Sequence, residues 1–206
     1  MSGISNIMYS TYLIFHPFNG FWELKHEKKG NIKTALIIVF ILTLVNIFRA
    51  QLTSFSFNSN DPKEVNLFAV SMMVVVPFFL WCVSNYSITT LVDGKGKFSD
   101  IFIATAYSLT PLILINVPMI IISHIITLQE AQIYGLMNSI SIIWTAILLI
   151  IAMMITHDFT LTKTAVSIII TIIGIIVIGV LILLFFSLFQ QLYNFFYLIY
   201  RELSLR

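Results

Sequence analysis

The sequence predicts an all-α integral membrane protein. It has five transmembrane helices, an interfacial N-terminal helix and an amphipathic C-terminal extension. Two observations carry this expectation. The chain has 206 residues, 59% of them hydrophobic and only 10% charged, whereas a soluble domain carries about 25% charged residues. The charges also bracket apolar runs: Lys33 to Arg49, Glu64 to Asp93, Asp100 to Glu130, Glu130 to Asp158, and Lys163 to Arg201. The last four exceed the roughly 20 residues that cross a bilayer. In hydrocarbon every backbone amide must be satisfied within its own element, so runs this long and uniform are helices and not barrel strands.

The spans are expected at about 33–55, 66–91, 100–127, 133–156 and 164–190. The first reaches its length only if Arg49 snorkels to an interface. Three regions follow: a lead-in segment (1–32), a five-helix membrane domain (33–190) and a C-terminal tail (191–206). Met1 to Trp22 carries no Lys, Arg, Asp or Glu. It lacks the basic start and small-residue cleavage site of a signal peptide. As a helix it places Ile4, Ile7, Met8, Tyr12 and Phe15 on one face and Ser2, Asn6 and Ser10 on another, the pattern of a helix lying along the membrane. A disordered tail and a sixth span are the alternatives. Pro111 and Pro118 cannot donate to the carbonyls of Tyr107 and Leu114, and Pro77 cannot donate to that of Met73. The second and third spans are therefore expected to bend, with freed carbonyls buried or lining a cavity. The run from Thr164 to Tyr200 is too long for one crossing. Its aromatic end, with Gln190, Gln191 and Asn194 interleaved, predicts a bend near Gln190 and a stretch along the interface. Within that run, Ser167, Thr171 and Gly174 form a small-residue face suited to close packing.

Lysine and arginine near span ends mark the cytoplasmic side. Lys25, Lys28, Lys29 and Lys33 precede the first span. With the N-terminus inside, Lys95, Lys97 and Lys163 also fall inside, while Arg49, Lys63, Arg201 and Arg206 fall outside. The net charge of +2 is too small to argue for nucleic acid. The single cysteine, Cys82, excludes an intrachain disulfide.

The stretch LVDGKGKFSD (91–100) interrupts the apolar pattern. It lacks the spacing of a phosphate loop. It also lacks the intramembrane Asp directly after Gly-x-Gly that an aspartyl protease would need, since Lys97 stands there. It reads as a tight cytoplasmic turn, with Gly94 and Gly96 supplying positive φ and Ser99 or Asp100 capping the next helix. Asp93, Gly94, Lys95, Gly96 and Lys97 form one candidate partner-binding surface. His157 and Asp158, in the polar cluster THDFT (156–160) at the same face, are the other part. Adjacent in sequence, these two cannot share a helix face.

The segment LVDGKGKFSDIFIATAYSLTP resembles the bacterial branch of the Yip family, whose eukaryotic relatives are Ypt/Rab-interacting membrane proteins. FHPFNGFWELKHEKKG (15–30), with His16, Pro17 and Phe18, resembles the family's segment before its first span. AYSLTP (106–111) resembles its third-span Tyr-x-x-x-Pro signature at Tyr107 and Pro111, and IYRELSLR resembles the tail of the bacterial branch. The likeness extends over residues 15–206. The acidic Asp-Leu-x-Gly-Pro motif and long cytosolic N-terminal region of the eukaryotic members have no counterpart. The resemblance implies a partner-binding or membrane-organising role. Its expected partners are the bilayer and other membrane proteins, including subunits of a transport system in a bacterial plasma membrane.

Polar groups within spans are otherwise sparse: Asn46, Asn85, Asn116, Asn138 and His124 stand out. None has a charged partner at helical spacing, and interhelical hydrogen bonding is the expected use. The four histidines are far apart in sequence, and neither a Gly-x-Ser-x-Gly elbow nor a His-Glu-x-x-His pair occurs. No catalytic set, metal site or cofactor is expected. The leading function is a non-catalytic adaptor. The alternative is a permeation or lipid-handling pathway around the kinked second and third spans. A polar cleft at Tyr107, Asn85 and Pro111 would favour permeation; a dry bundle would favour the adaptor.

Overall fold

The computed structural model describes residues 3–54, 57–58 and 65–204. Side chains 1–8, the loop residues 59–64 with Lys63, and Arg206 bear on the expected faces and topology but lie outside the described set. Among the described residues there are eight α-helices and one 3-10 turn: α1 Gly3–Phe15, α2 Pro17–His26, α3 Ile32–Leu52, α4 Leu67–Leu91, α5 Phe98–Ser108, α6 Thr110–Ile122, the 3-10 turn Leu128–Glu130, α7 Ala131–His157 and α8 Leu161–Ser204. Among the described residues there is no strand. Among the described residues five helical stretches are long and apolar enough to span a membrane: α3, α4, α5 with α6, α7, and α8.

Local chemistry sets the ends. The Asn31 side chain accepts from the Lys33 N–H at 3.1 Å to start α3, and Asn66 accepts from Phe68 and Ala69 to start α4. These caps satisfy amides that a helix N-terminus leaves orphaned. Asp100 caps α5 by accepting from the Lys97 N–H at 3.1 Å.

Small residues and internal hydrogen bonds hold the bundle, as expected where lipid removes the usual hydrophobic drive between helices. On α8, Ser167 and Thr171 are buried, and a Cβ on Gly174 would collide with the Ser84 hydroxyl of α4. The Ser84 Oγ donates to the Thr171 carbonyl at 2.7 Å. The core runs from Leu13 and Phe21 through Ile38, Phe102 and Tyr107 to Leu148 and Met153, so the lead-in segment and the spans share one core.

Three expectations need correction. The lead-in segment breaks at His16, where Pro17 opens α2, because the residue before proline is pushed out of helical geometry. Tyr12 and Phe15 are exposed as expected, but the opposite side of α1 is buried in protein through Ser10, Leu13 and Ile14. The third span divides into α5 and α6 at Leu109 and ends at Ile122; Pro118 leaves α6 continuous. The carbonyl of Tyr107 that Pro111 cannot serve accepts from Thr110 Oγ1 at 2.8 Å. Finally, α8 runs unbroken through Gln190. No glycine or proline lies beyond Gly179 in this helix, so nothing interrupts its hydrogen-bond ladder. Its 44 residues amount to about 66 Å, and every residue from Val180 to Glu202 is exposed.

Candidate functional site

The ends of α4, α7 and α2 and the start of α5 meet on the lysine-rich face. Helix α7 stops at Asp158, which adopts the left-handed conformation (φ 55°, ψ 40°). This cap turns consecutive side chains in opposite directions. The imidazole of His157 points into the protein and is 1% exposed. Its Nε2 lies 3.1 Å from Asn85 Oδ1 on α4, so the ring carries its proton on Nε2 and donates to the amide oxygen. The Asn85 amide in turn donates to Thr171 Oγ1 of α8 at 3.4 Å. Three helices are thus tied through Asn85, which fulfils the expectation of interhelical bonding. Asn46 instead bonds within its own helix, to the carbonyl of Leu42.

The turn 91–100 is moulded onto His157. Among the described residues no glycine has positive φ; Asp93 does, at 58°. The expected reason for the glycines is therefore overturned. A Cβ on Gly94 would lie 2.7 Å from His157 Nδ1 and 2.9 Å from the Thr89 carbonyl oxygen. On Gly96 it would lie 2.7 Å from Thr156 Cγ2 and 2.9 Å from His157 Cε1. Both glycines serve close approach. The Gly94 N–H donates to Thr89 O at 2.7 Å, which fixes the departure from α4. The Nδ1 of His157 has no hydrogen-bond partner and faces this glycine wall.

Asp158 points outward and gathers the charges. Its Oδ1 lies 3.0 Å from Lys25 Nζ and its Oδ2 lies 3.4 Å from Lys95 Nζ. Lys25 also donates to the Ile155 carbonyl at 3.3 Å, which accepts the Asp158 N–H as well. The hydrogen bond from Lys25, reinforced by the charges of Lys25 and Lys95, holds the Asp158 carboxyl below its usual range. Alongside, Lys163 sits over the Phe159 ring at 4.2 Å, and Phe159 stacks on His157. Lys29 bridges Glu23 at 2.7 Å and Glu27 at 2.9 Å. Its hydrogen bond, then that of Tyr9, lowers the Glu23 carboxyl.

The structure therefore brings Gly94, Lys95, Gly96, His157 and Asp158 together. Asp93 and Lys97 are exposed on the same turn. The motif residues lie elsewhere: His16 stacks on Tyr12 and precedes Pro17, Phe18 is exposed, Tyr107 is fully buried and Pro111 lies in the first turn of α6. Sequence reasoning missed Lys25 as the anchor of Asp158 and Asn85 as the partner of His157. Four lysines in one cluster gave no sign of which would pair, and an Asn in a span says nothing of its neighbour. Among the described residues no three metal-binding side chains converge.

The polar side chains of this bundle tie helices to one another, and a mixed-charge face gathers at one end. That arrangement defines an all-helical protein with five candidate membrane spans. The chain matches the Yip1 domain over residues 11–198, nearly its whole length, and belongs to that family. Yip1 proteins are non-catalytic membrane proteins of trafficking that bind partner proteins. No curated protein and no solved structure matches the chain.

Proposed function

We propose that the chain is a membrane adaptor whose partner surface is the lysine-rich face. Asp93, Lys95, Lys97 and Asp158 present its charges, while Gly94, Gly96 and the buried His157 hold the turn in shape beneath them. The observation that carries this reading is the convergence of the lead-in segment, through Lys25, and the 91–100 turn on Asp158 and His157. A turn wedged against a buried ring presents its charges in a fixed arrangement, and such rim charges govern encounter and register more than raw affinity. The partner is another membrane protein, such as a subunit of a transport system. The membrane is a bacterial plasma membrane, in keeping with the likeness of IYRELSLR to the bacterial tail. The lysine bias supports a cytoplasmic N-terminus and lysine-rich face and an external C-terminus. Burial of Tyr107, Asn85 and Pro111 supports an adaptor over a polar permeation path at that level.

The test is mild-detergent purification with mass spectrometry of co-purifying proteins. Asp93→Asn with Lys95→Gln and Lys97→Gln should leave insertion intact, lower the melting temperature only by the small amount that loss of the exposed Lys95–Asp158 pair implies, and deplete a defined partner. An unchanged set of co-purifying proteins would sink the proposal. Labelling of a cysteine at position 95, in a Cys82→Ser background, by an impermeant reagent outside intact cells would overturn the orientation.

A further inference from the structure

At the end of the bundle opposite the lysine-rich face, α3 and α4 part around two cavities. One, of about 320 Å³, is lined by Asn46, Arg49, Thr53, Asn58, Met73 and Tyr134 among others. The second, of about 370 Å³, lies deeper, against Pro77, Phe78, Trp81, Leu109, Leu112 and Leu149. Asn46 and Met73 line both, so the two adjoin as the halves of one crevice separated by these side chains. Met73, shared by both, is 75% exposed and sits on α4, a helix long and apolar enough to span a membrane.

The two halves differ chemically. The shallow half holds Arg49, which is partly buried and forms no ion pair among the described residues. It also holds Thr53, 5% exposed, whose buried Oγ1 has no hydrogen-bond partner. A cation and an orphaned hydroxyl within a membrane crevice are costly unless an acceptor reaches them. The deep half is walled mainly by aliphatic and aromatic side chains, with Asn46 and Thr105 as its polar members. Leu42 and Arg49 are seven residues apart on α3, about 10 Å of helix rise, so the apolar half begins about that far below the charge.

We propose that this crevice is a binding site for one glycerophospholipid, with the phosphate at Arg49 and Thr53 and an acyl chain in the cavity beside Pro77 and Leu112. The charge matches one to one: a phosphodiester carries a single negative charge, and Arg49 offers a planar fork of donors for it. An anion alone would leave the apolar half unfilled, and a hydrocarbon alone would leave Arg49 and Thr53 unanswered. The site is distinct from the partner surface, at the other end of the spans.

The experiment uses full-length protein in detergent, titrated with dioleoyl phosphatidylglycerol and read by native mass spectrometry. Dioleoylglycerol and inorganic phosphate are the comparison probes. Phosphatidylglycerol should bind with a single saturable site. Dioleoylglycerol and the Arg49→Gln variant should each bind about tenfold more weakly or worse, the size expected for losing a charged hydrogen bond. Arg49→Lys should retain part of the binding. Val74→Phe, which fills the deep cavity and leaves Arg49 in place, should weaken phosphatidylglycerol binding as well. Equal binding of dioleoylglycerol, or full binding by Arg49→Gln, would overturn the phosphate contact. Inorganic phosphate binding as well as the lipid, or no loss in Val74→Phe, would reduce the site to an anion pocket and also overturn the proposal. A melting temperature measured without lipid identifies any variant that fails through misfolding, and Arg49→Lys then carries the test of the head group.

Discussion

His157 sits where the turn 91–100 meets the helix bundle, and its neighbours leave no space for even one added carbon. Gly96→Ala would drive a methyl to 2.7 Å from Thr156 Cγ2 and 2.9 Å from the His157 ring. Overpacking of this kind costs about 1–3 kcal/mol. We expect Gly96→Ala to lower the melting temperature of the purified protein, and its penalty to shrink in a His157→Ala background, because contacting sites couple. Equal penalties in the two backgrounds would show that the ring is not what the glycine accommodates. Asp158 gives a prediction in pH. Its carboxyl titrates below its unfolded value of about 3.9. The ties to Lys25 and Lys95 therefore stabilise fully above that value and are lost as pH falls through the folded value. Wild type should melt above Asp158→Asn at pH 7 and pH 5, and the gap should close in stronger acid. A gap that persists unchanged would assign the difference to helix capping alone. Neither relation was legible in the sequence. Glycine beside lysine reads equally as positive φ and as close approach, and only the fold brings position 157 against positions 94 and 96.

At the scale of elements, hydropathy was the legible part. Five spans follow from five apolar runs, because a backbone in lipid has no other way to satisfy its amides. Breaks were harder. Prolines at 77, 111 and 118 look alike in sequence, yet only the third span divides, at Leu109. There Thr110 supplies the hydroxyl that replaces the missing amide donor at Tyr107. Pro111→Ala restores that donor, so the break should close and the third span lengthen. Electron-spin distances between labels at positions 99 and 122 test this; an unchanged distance would remove proline as the cause. The burial of one side of α1 was illegible for a different reason. Exposed Phe15 and buried Leu13 are both apolar, and composition alone cannot assign one to lipid and the other to protein. The continuity of α8 follows from what is missing, a glycine or proline beyond Gly179, rather than from the polar residues at 190, 191 and 194.

The whole molecule is polarised between its two ends. One end carries the clamp of Lys25, Lys95 and Asp158 over His157. The other carries Arg49 and the crevice it lines. Between them the spans are joined by Ser84, Asn85 and Thr171, which leaves little polar surface at mid-depth for a passing solute. An adaptor of this shape would meet its partner at the clamp while α8, exposed along its second half, lies among lipids. A photoreactive amino acid placed at position 95, and separately at Phe186 on α8, discriminates most directly between the clamp and the membrane face. Illumination of intact membranes should give a discrete protein adduct from position 95 and only lipid adducts from position 186. A protein adduct from position 186 with none from position 95 would contradict the account and move the partner surface into the membrane.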